Sequence, residues 1–232
     1  PRSFKGIDSV ELLVIDDGST DRTVDVAKRY GVEHVVSLGS NKGLARAFMA
    51  GLEYGLTLGV DIIVNTDADN QYNAEDIQLL IDPILDKKAE IVIGERPIQT
   101  TDHFSPLKKL LQRFGSFVVQ KASRTKIPDA PSGFRAISRN AALRLNIFNE
   151  YTYTLEMIIQ AGKSRMNIQS VPVRTNEDLR PSRLVKSIPF YIRQAIFTMF
   201  RVLNTYQPLQ VFIVLGGIPF TLGILLGLRW VF

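Results

Sequence analysis

An α/β fold built on a doubly wound, mostly parallel sheet flanked by helices is what this sequence predicts, on three observations. Short β-branched runs alternate with amphipathic helical patterns up to Gly94, in the order β-α-β-α-β-α-β. Two of those runs end in paired carboxylates, Asp16-Asp17 and Asp67-Ala68-Asp69. Ligands of open parallel sheets sit beyond the carboxyl ends of strands, so both acidic pairs fall where a site belongs. Near the C-terminus an uncharged run, residues 209–228, has the length needed to cross a hydrocarbon core of roughly 30 Å.

The first strand, residues 10–15, is apolar apart from Glu11 and runs into Asp16-Asp17-Gly18-Ser19-Thr20-Asp21. Ser19 or Thr20 is the expected N-cap of a helix reaching about Tyr30, which Gly31 closes. Residues 34–38 read as a second strand and residues 39–43 as a turn. A helix over 44–58 follows, with Leu44, Ala47, Phe48 and Leu52 on one face. After the strand at Ile62, a helix over 74–85 places Ile77, Leu80, Ile81 and Ile84 toward the core, with Pro83 weakening its last turn. Residues 90–94 make the fourth strand. Residues 104–124 form a basic amphipathic helix, either packed on the sheet or lying at a membrane interface. A turn and strand at 131–137, helices at 140–145 and 153–161, and a strand at 166–173 complete the series.

The stretch Asp67-Ala68-Asp69-Asn70-Gln71 carries the chemistry. In an extended segment alternate side chains share a face, so Asp67 and Asp69 point the same way. Two adjacent carboxylates repel unless a cation lies between them or one takes a proton. With Gln71 they make an oxygen-only donor set suited to Mg²⁺ or Mn²⁺. The competing reading is an acidic turn that caps the next helix.

Composition narrows the class. With 232 residues, a net charge of +5 and a pI near 9.5, the chain suits an anionic partner such as a phosphorylated substrate, lipid headgroups or nucleic acid. The absence of cysteine excludes a disulfide framework and a thiolate metal site. His34 and His103 stand apart from other reactive groups and read as core or surface residues. No signal peptide is visible, and the opening Pro1-Arg2-Ser3-Phe4 points to an upstream piece. Three segments follow: a globular domain over 1–184, an amphipathic juxtamembrane segment over 185–206 and a transmembrane segment over 207–232. Arg229 and Trp230 resemble an interfacial anchor, Gly223 and Gly227 form a GxxxG face, and the basic residues upstream favour a cytoplasmic catalytic domain on a plasma or endoplasmic-reticulum-type membrane.

Five motifs occur in order: Asp16-Asp17-Gly18-Ser19-Thr20-Asp21, Asn41-Lys42-Gly43, Asp67-Ala68-Asp69-Asn70-Gln71, Ser132-Gly133-Phe134-Arg135 and Arg180-Pro181-Ser182-Arg183-Leu184. Together they resemble the family 2 glycosyltransferases of GT-A fold, and within them the dolichol- or polyprenyl-phosphate sugar synthases typified by dolichol-phosphate mannose synthase. The family's opening Pro-x-Tyr-Asn-Glu-like loop is absent from this sequence. The resemblance implies that Asp17, supported by Asp16, contacts the nucleobase, and that Lys42 belongs to the donor site. It makes Asp67 the first carboxylate of a DxD motif, Asp69 the principal metal ligand and Gln71 a further ligand. Arg135 and Arg96 become phosphate contacts, with Gly-Glu-Arg standing where the family often has Gly-Ser-Arg. Ser132 belongs to the same strand-end motif, and Ser182 and Arg183 to a loop that closes on the diphosphate, with Arg in place of Lys. Glu156 becomes an acid–base or acceptor-orienting group, or else a solvated helix residue.

The implied activity is metal-dependent, inverting transfer of a sugar from a nucleotide-sugar to a polyprenyl phosphate at a membrane. The acceptor is anionic already, so no histidine base is required. The alternatives are a membrane-tethered transferase that extends a glycan, which would need a carboxylate base beside a hydroxyl acceptor, and a non-catalytic nucleotide-binding module. Nucleic-acid binding fits poorly, since the basic residues cluster with apolar helices and a span.

Overall fold

Strands form here where β-branched residues run together and helices where apolar residues recur every three or four positions. A computed structural model describes residues 3–97, 106–147, 153–176 and 188–231 of the chain. In order these are β1 (Leu13–Asp16), α1 (Thr23–Arg29), β2 (His34–Ser37), α2 (Leu44–Leu58), β3 (Ile62–Asn65), a single 3-10 turn (Ala74–Asp76), α3 (Ile77–Leu85), β4 (Ile91–Glu95), α4 (Pro106–Ser123), β5 (Arg135–Ser138), α5 (Arg139–Arg144), α6 (Tyr153–Lys163), β6 (Ile168–Pro172), α7 (Ile188–Tyr206) and α8 (Pro208–Val231). The chain divides into two units, Pro1–Arg183 and Leu184–Phe232.

The first unit holds a parallel β1–β2 pair and a four-stranded sheet ordered β3-β5-β4-β6. β4 pairs in parallel with β6, whereas β5 runs antiparallel to both β3 and β4. The alternation of β and α predicted parallel pairing over the first four strands, and β3 and β4 do run the same way. They are separated by β5, which comes from later in the chain. Its direction has a local cause. The loop 124–134 brings the chain back to the carboxyl end of β4, where the Gly94 amide donates to the Phe134 carbonyl (2.8 Å) and Ile93 pairs with Arg135. Asn65, at the end of β3, also pairs with Arg135. The sheet therefore brings Ser132–Arg135 against the ends of both β3 and β4.

Alternation along β4 sends Val92 to one face and Ile91 and Ile93 to the other. All three are fully buried. Val92 joins Tyr72, Leu80, Ile81, Phe134, Ala136 and Val173 in the core beneath α3. Ile137 of β5 and Met157, Ile158 and Ile159 of α6 are fully buried as well. Each such side chain contributes about 1.5–3 kcal/mol by leaving water. Of the face expected on α2, Ala47, Phe48 and Leu52 are buried while Leu44, at the first position of the helix, stays exposed.

Two terminus expectations change. Neither Ser19 nor Thr20 caps α1: the Ser19 amide is taken by Asp16 Oδ1 (2.9 Å), so the helix starts at Thr23, whose amide donates to Asp21 Oδ1 (2.9 Å). Pro83 lies within α3 two residues before its end, and its carbonyl accepts from the Lys88 and Ala89 amides. On α4, Val118, Val119 and Ala122 are buried, yet Phe114 and Phe117 are each 54% exposed.

In the second unit α7 ends at Tyr206 and α8 restarts at Pro208, a residue suited to the first helical position because its missing amide hydrogen is not needed there. Within α8 the segment Pro208–Trp230 has a mean hydropathy of 2.4, and none of its most apolar stretch is buried. Pro219 interrupts the helical bond ladder, and Thr221 Oγ1 donates into it at the Gly217 carbonyl (2.9 Å).

Candidate active site

The acidic end of β3 is braced from several sides. Asn65 Nδ2 donates to the Gly133 carbonyl (2.7 Å), and the Gly133 amide donates to the Tyr72 hydroxyl (3.1 Å). Tyr72 stacks on Phe134 with ring centroids 4.9 Å apart. The peptide thus held lies so close to Asp67 that a Cβ on Gly133 would come within 2.5 Å of Asp67 Oδ2. Glycine at 133 is what lets this carboxylate pack against the backbone. A cleft of about 350 Å³ opens beside it, lined by Thr66, Asp67, Asn70, Tyr72, Ile77 and Phe134 among others.

Asp67 is half-buried, and burial first, then the charge of Asp69, push its carboxyl above the ordinary range. Arg96 and Arg135 oppose that rise. Asp69 is exposed, and its Oδ1 accepts from the Gln71 amide (3.0 Å) across a turn in which Asn70 takes a left-handed conformation (φ 63°). Gln71 Oε1 faces Arg96 Nη1 at 3.4 Å.

A divalent cation fits this donor set. Asp67, Asp69 and Gln71 offer hard oxygens only, and the Asp69 charge, which adds to burial in raising the Asp67 carboxyl, is what a cation offsets. Among the described residues no group of three or more histidine, cysteine, aspartate or glutamate side chains gathers into a cage. Mg²⁺ and Mn²⁺ are commonly held by one or two carboxylates that share the ion with water and substrate phosphates.

The acidic end of β1 is built differently. Asp16 is buried and accepts from the Ser19 amide (2.9 Å) and the Ser37 hydroxyl (2.7 Å). Bonds from Ser19, then from Ser37, hold its carboxyl below the ordinary range. Asp17 uses both oxygens on backbone: Oδ1 accepts from the Lys42 amide (2.7 Å) and Oδ2 from the Gly43 amide (3.0 Å), at the start of α2. Gly18 completes the lock, because a Cβ there would sit 2.5 Å from the Ser40 carbonyl carbon. Two motifs separate in sequence are one interlocked turn. In this geometry Asp17 and the Lys42–Gly43 backbone hold each other.

Both arginines expected at phosphates are held by groups of the protein itself. Arg135 is 0% exposed. Its guanidinium donates to the carbonyls of Ser132 (2.7 Å), Ala130 (2.7 Å) and Thr154 (2.8 Å) and lies 6.0 Å from the centre of the Tyr153 ring. Burial brings its pKa down to about 10. It ties the 130–132 loop to α6 through bonds to three carbonyls, with Nη1 also facing Met157 Sδ at 3.7 Å. Arg96 makes a two-pronged pair with Asp129, Nε to Oδ2 (2.8 Å) and Nη2 to Oδ1 (2.9 Å), and its amide also donates to Oδ2 (3.2 Å). That hydrogen-bonded pairing raises its pKa against the opposing effect of burial. Ser132 is fully buried, its Oγ accepting from the Phe134 amide (3.4 Å). Glu156 is 5% exposed, not solvated, and accepts from Gln160 Nε2 (3.1 Å). Ser182 and Arg183 lie outside the described residues.

Sequence reasoning missed Asp129, Asn65, Tyr72, Gly133 and Tyr153. Burial and the nearby Asp67 charge push the Tyr153 hydroxyl up to about 12, against the pull of Arg135 and of its bond to Asn65. Asp129, 2% exposed, had one signal: it is the single carboxylate among residues 103–149, in a stretch rich in arginine and lysine. Two aspartates and two arginines, Asp67, Asp129, Arg96 and Arg135, thus balance one another at the sheet's carboxyl edge.

Residues 5–145 match the family described as Glycosyl transferase family 2. The chain belongs to that family. It is a glycosyltransferase with a GT-A-type fold. It is 31% identical over 189 residues to the UDP-N-acetylglucosamine–dolichyl-phosphate N-acetylglucosaminyltransferase of Methanococcus voltae, covering 71% of this chain and 74% of that one. It is 27% identical to the polyprenol monophosphomannose synthase of Mycolicibacterium smegmatis, covering 81% and 74%. Among solved structures it is similar in fold to glucosyl-3-phosphoglycerate synthase from Mycobacterium tuberculosis, in complex with Mn²⁺, uridine diphosphate and glucosyl-3-phosphoglycerate. There the TM-score is 0.65 at 19% identity, with 86% of this chain and 70% of that chain covered.

Proposed function

We propose that this glycosyltransferase moves a sugar from a nucleotide-sugar onto a polyprenyl phosphate at a membrane surface, with Mg²⁺ or Mn²⁺ held by Asp67, Asp69 and Gln71. The observation that carries the reading is the arrangement at the end of β3: Asp67 lining an open cleft, its charge partner Asp69 exposed two residues on, and a charge-balanced arginine network behind them. The names of the Methanococcus and Mycolicibacterium relatives support the lipid-phosphate acceptor. The bound cation would neutralise charge on the departing nucleoside diphosphate. Asp67 and Asp69 would hold it, while the Asn65–Gly133–Tyr72 bonds keep the backbone against Asp67 in place.

The chemistry is one in-line displacement with inversion. An acceptor phosphate oxygen forms the new bond to the anomeric carbon as the bond from that carbon to the diphosphate oxygen breaks. The oxygen is ionised at neutral pH, so the protein need not take up a proton. This agrees with the setting of Glu156, which is buried and bonded along its own helix instead of standing open as a base for a hydroxyl acceptor.

Membrane attachment rests on two helices. α8 is apolar over a span's length, and α7 exposes Ile196, Phe197 and Phe200 with Arg193 and Arg201 on the same helix. The basic residues that precede the span favour a cytoplasmic catalytic unit. Incubating membranes that contain the protein with labelled sugar nucleotides and Mg²⁺ or Mn²⁺, then extracting lipid, tests the reading. Label should enter a mild-acid-labile lipid; label found only in polymer would overturn it.

A further inference from the structure

The chain segment just after β6 touches the acidic loop, and no sequence motif points to it. Thr175 forms an isolated antiparallel bridge with Tyr72. The Asn176 amide donates to the Gln71 carbonyl (2.8 Å), and Asn176 Nδ2 donates to the carbonyls of Asn70 (2.9 Å) and Tyr72 (3.5 Å). One side chain therefore gathers the carbonyls on both sides of Gln71. The loop needs such a restraint, because Asn70 sits at φ 63°, a conformation that costs energy for any residue with a Cβ.

The clasp is itself anchored. Arg174 donates to Asp76 through its amide (2.6 Å), Nε (2.9 Å) and Nη2 (2.6 Å), and to Glu75 through Nη2 (3.1 Å). Asp76 is 2% exposed and opens the helix that follows the acidic loop. Upstream, the loop is held by β3. Downstream, it is held by Asn176 and by the Arg174–Asp76 pair.

We propose that Asn176 is a positioning residue for the metal site: its carboxamide sets the backbone of Asn70–Tyr72 and so presents Asp69 and Gln71 toward a divalent cation. The inference rests on the metal reading above and extends it to a residue outside the DxD stretch. A carboxamide suits the task because two N–H donors leave one nitrogen on a short stem. Asp has the same shape but turns acceptors toward carbonyl oxygens.

The test compares wild type, Asn176→Asp and Asn176→Ala as the full 232-residue chain in detergent. Mn²⁺ alone is titrated and free ion is followed by electron paramagnetic resonance, with thermal unfolding measured in parallel. Asn176 is exposed, so folding should survive. Both variants should bind Mn²⁺ about tenfold more weakly, the scale of one or two lost hydrogen bonds, with little change in unfolding temperature. In the transfer assay the KM for Mn²⁺ should rise while kcat at saturating Mn²⁺ is kept. If wild type binds Mn²⁺ and both variants match it, the role of Asn176 is overturned and the metal site stands. If wild type binds no Mn²⁺, the metal reading falls and this role falls with it.

Discussion

Two strands of this protein end in paired aspartates, and the structure gives the pairs opposite fates. At the end of β1, Asp16 and Asp17 are satisfied by backbone amides and a serine hydroxyl. At the end of β3, Asp69 accepts one amide, and Asp67 is left half-buried beside it with its carboxyl pushed up. The first pair spends its lone pairs on holding a turn. The second keeps an unfavourable charge that Arg96 and Arg135 offset in part and that a cation or a proton would relieve further. An acidic strand end whose carboxylates the backbone leaves largely unused is the better candidate for a ligand site.

The largest expected effects separate the two pairs. Asp69→Ala should reduce metal-dependent transfer by about a hundredfold or more while leaving the unfolding temperature close to wild type, since Asp69 is exposed. Asp17→Ala should do the reverse, costing about 1–2 kcal/mol in denaturant unfolding because two amides at the start of α2 lose their acceptor. Equal losses of activity without destabilisation in both variants would erase the distinction.

A smaller effect tests how Asp67 is seated. Gly133→Ala places a methyl group against its carboxylate, so Mn²⁺ affinity should fall about tenfold with about 1–3 kcal/mol of lost stability. Unchanged Mn²⁺ binding would show that Asp67 moves freely.

The smallest effects are in pH dependence, and their signs differ. Asp16 has a depressed pKa in the fold, so it stabilises above its unfolded value near 3.8 and that contribution is lost as pH falls through the lower folded value. For Asp67 the folded pKa is raised, so its ionisation is a penalty that is absent at low pH and grows as pH rises through the folded value. In metal-free protein at neutral pH, Asp67→Asn should raise the unfolding temperature and Asp16→Asn should lower it. Matching signs in a pair of melting curves would refute the contrast.

Much of this was legible in the residues. Helix α2 coincides with its expected span, and β3, α3, β4, α7 and α8 fall within a few residues of theirs, because apolar periodicity is a local property. The paired carboxylates were visible too. What was not legible is their fate. The lock between Asp17 and the Lys42–Gly43 amides joins residues 25 and 26 positions apart, and no local pattern reports it. Arg135 shows the same limit. Its place in a strand-end motif marked it as important, but only burial shows that its donors go to backbone carbonyls.

By itself the sequence determined the α/β class, the family, the oxygen-only donor set and an apolar helix long enough to span a bilayer. Each depends on composition, on spacing within a short window or, for the family, on the order of short motifs along the chain. The tertiary structure decided that β5 returns antiparallel between β3 and β4, and with that move set Gly133 against Asp67 and Asp129 against Arg96. The reason is physical: whether a carboxylate binds a cation or pins a turn depends on which donors reach it, and those donors come from distant parts of the chain.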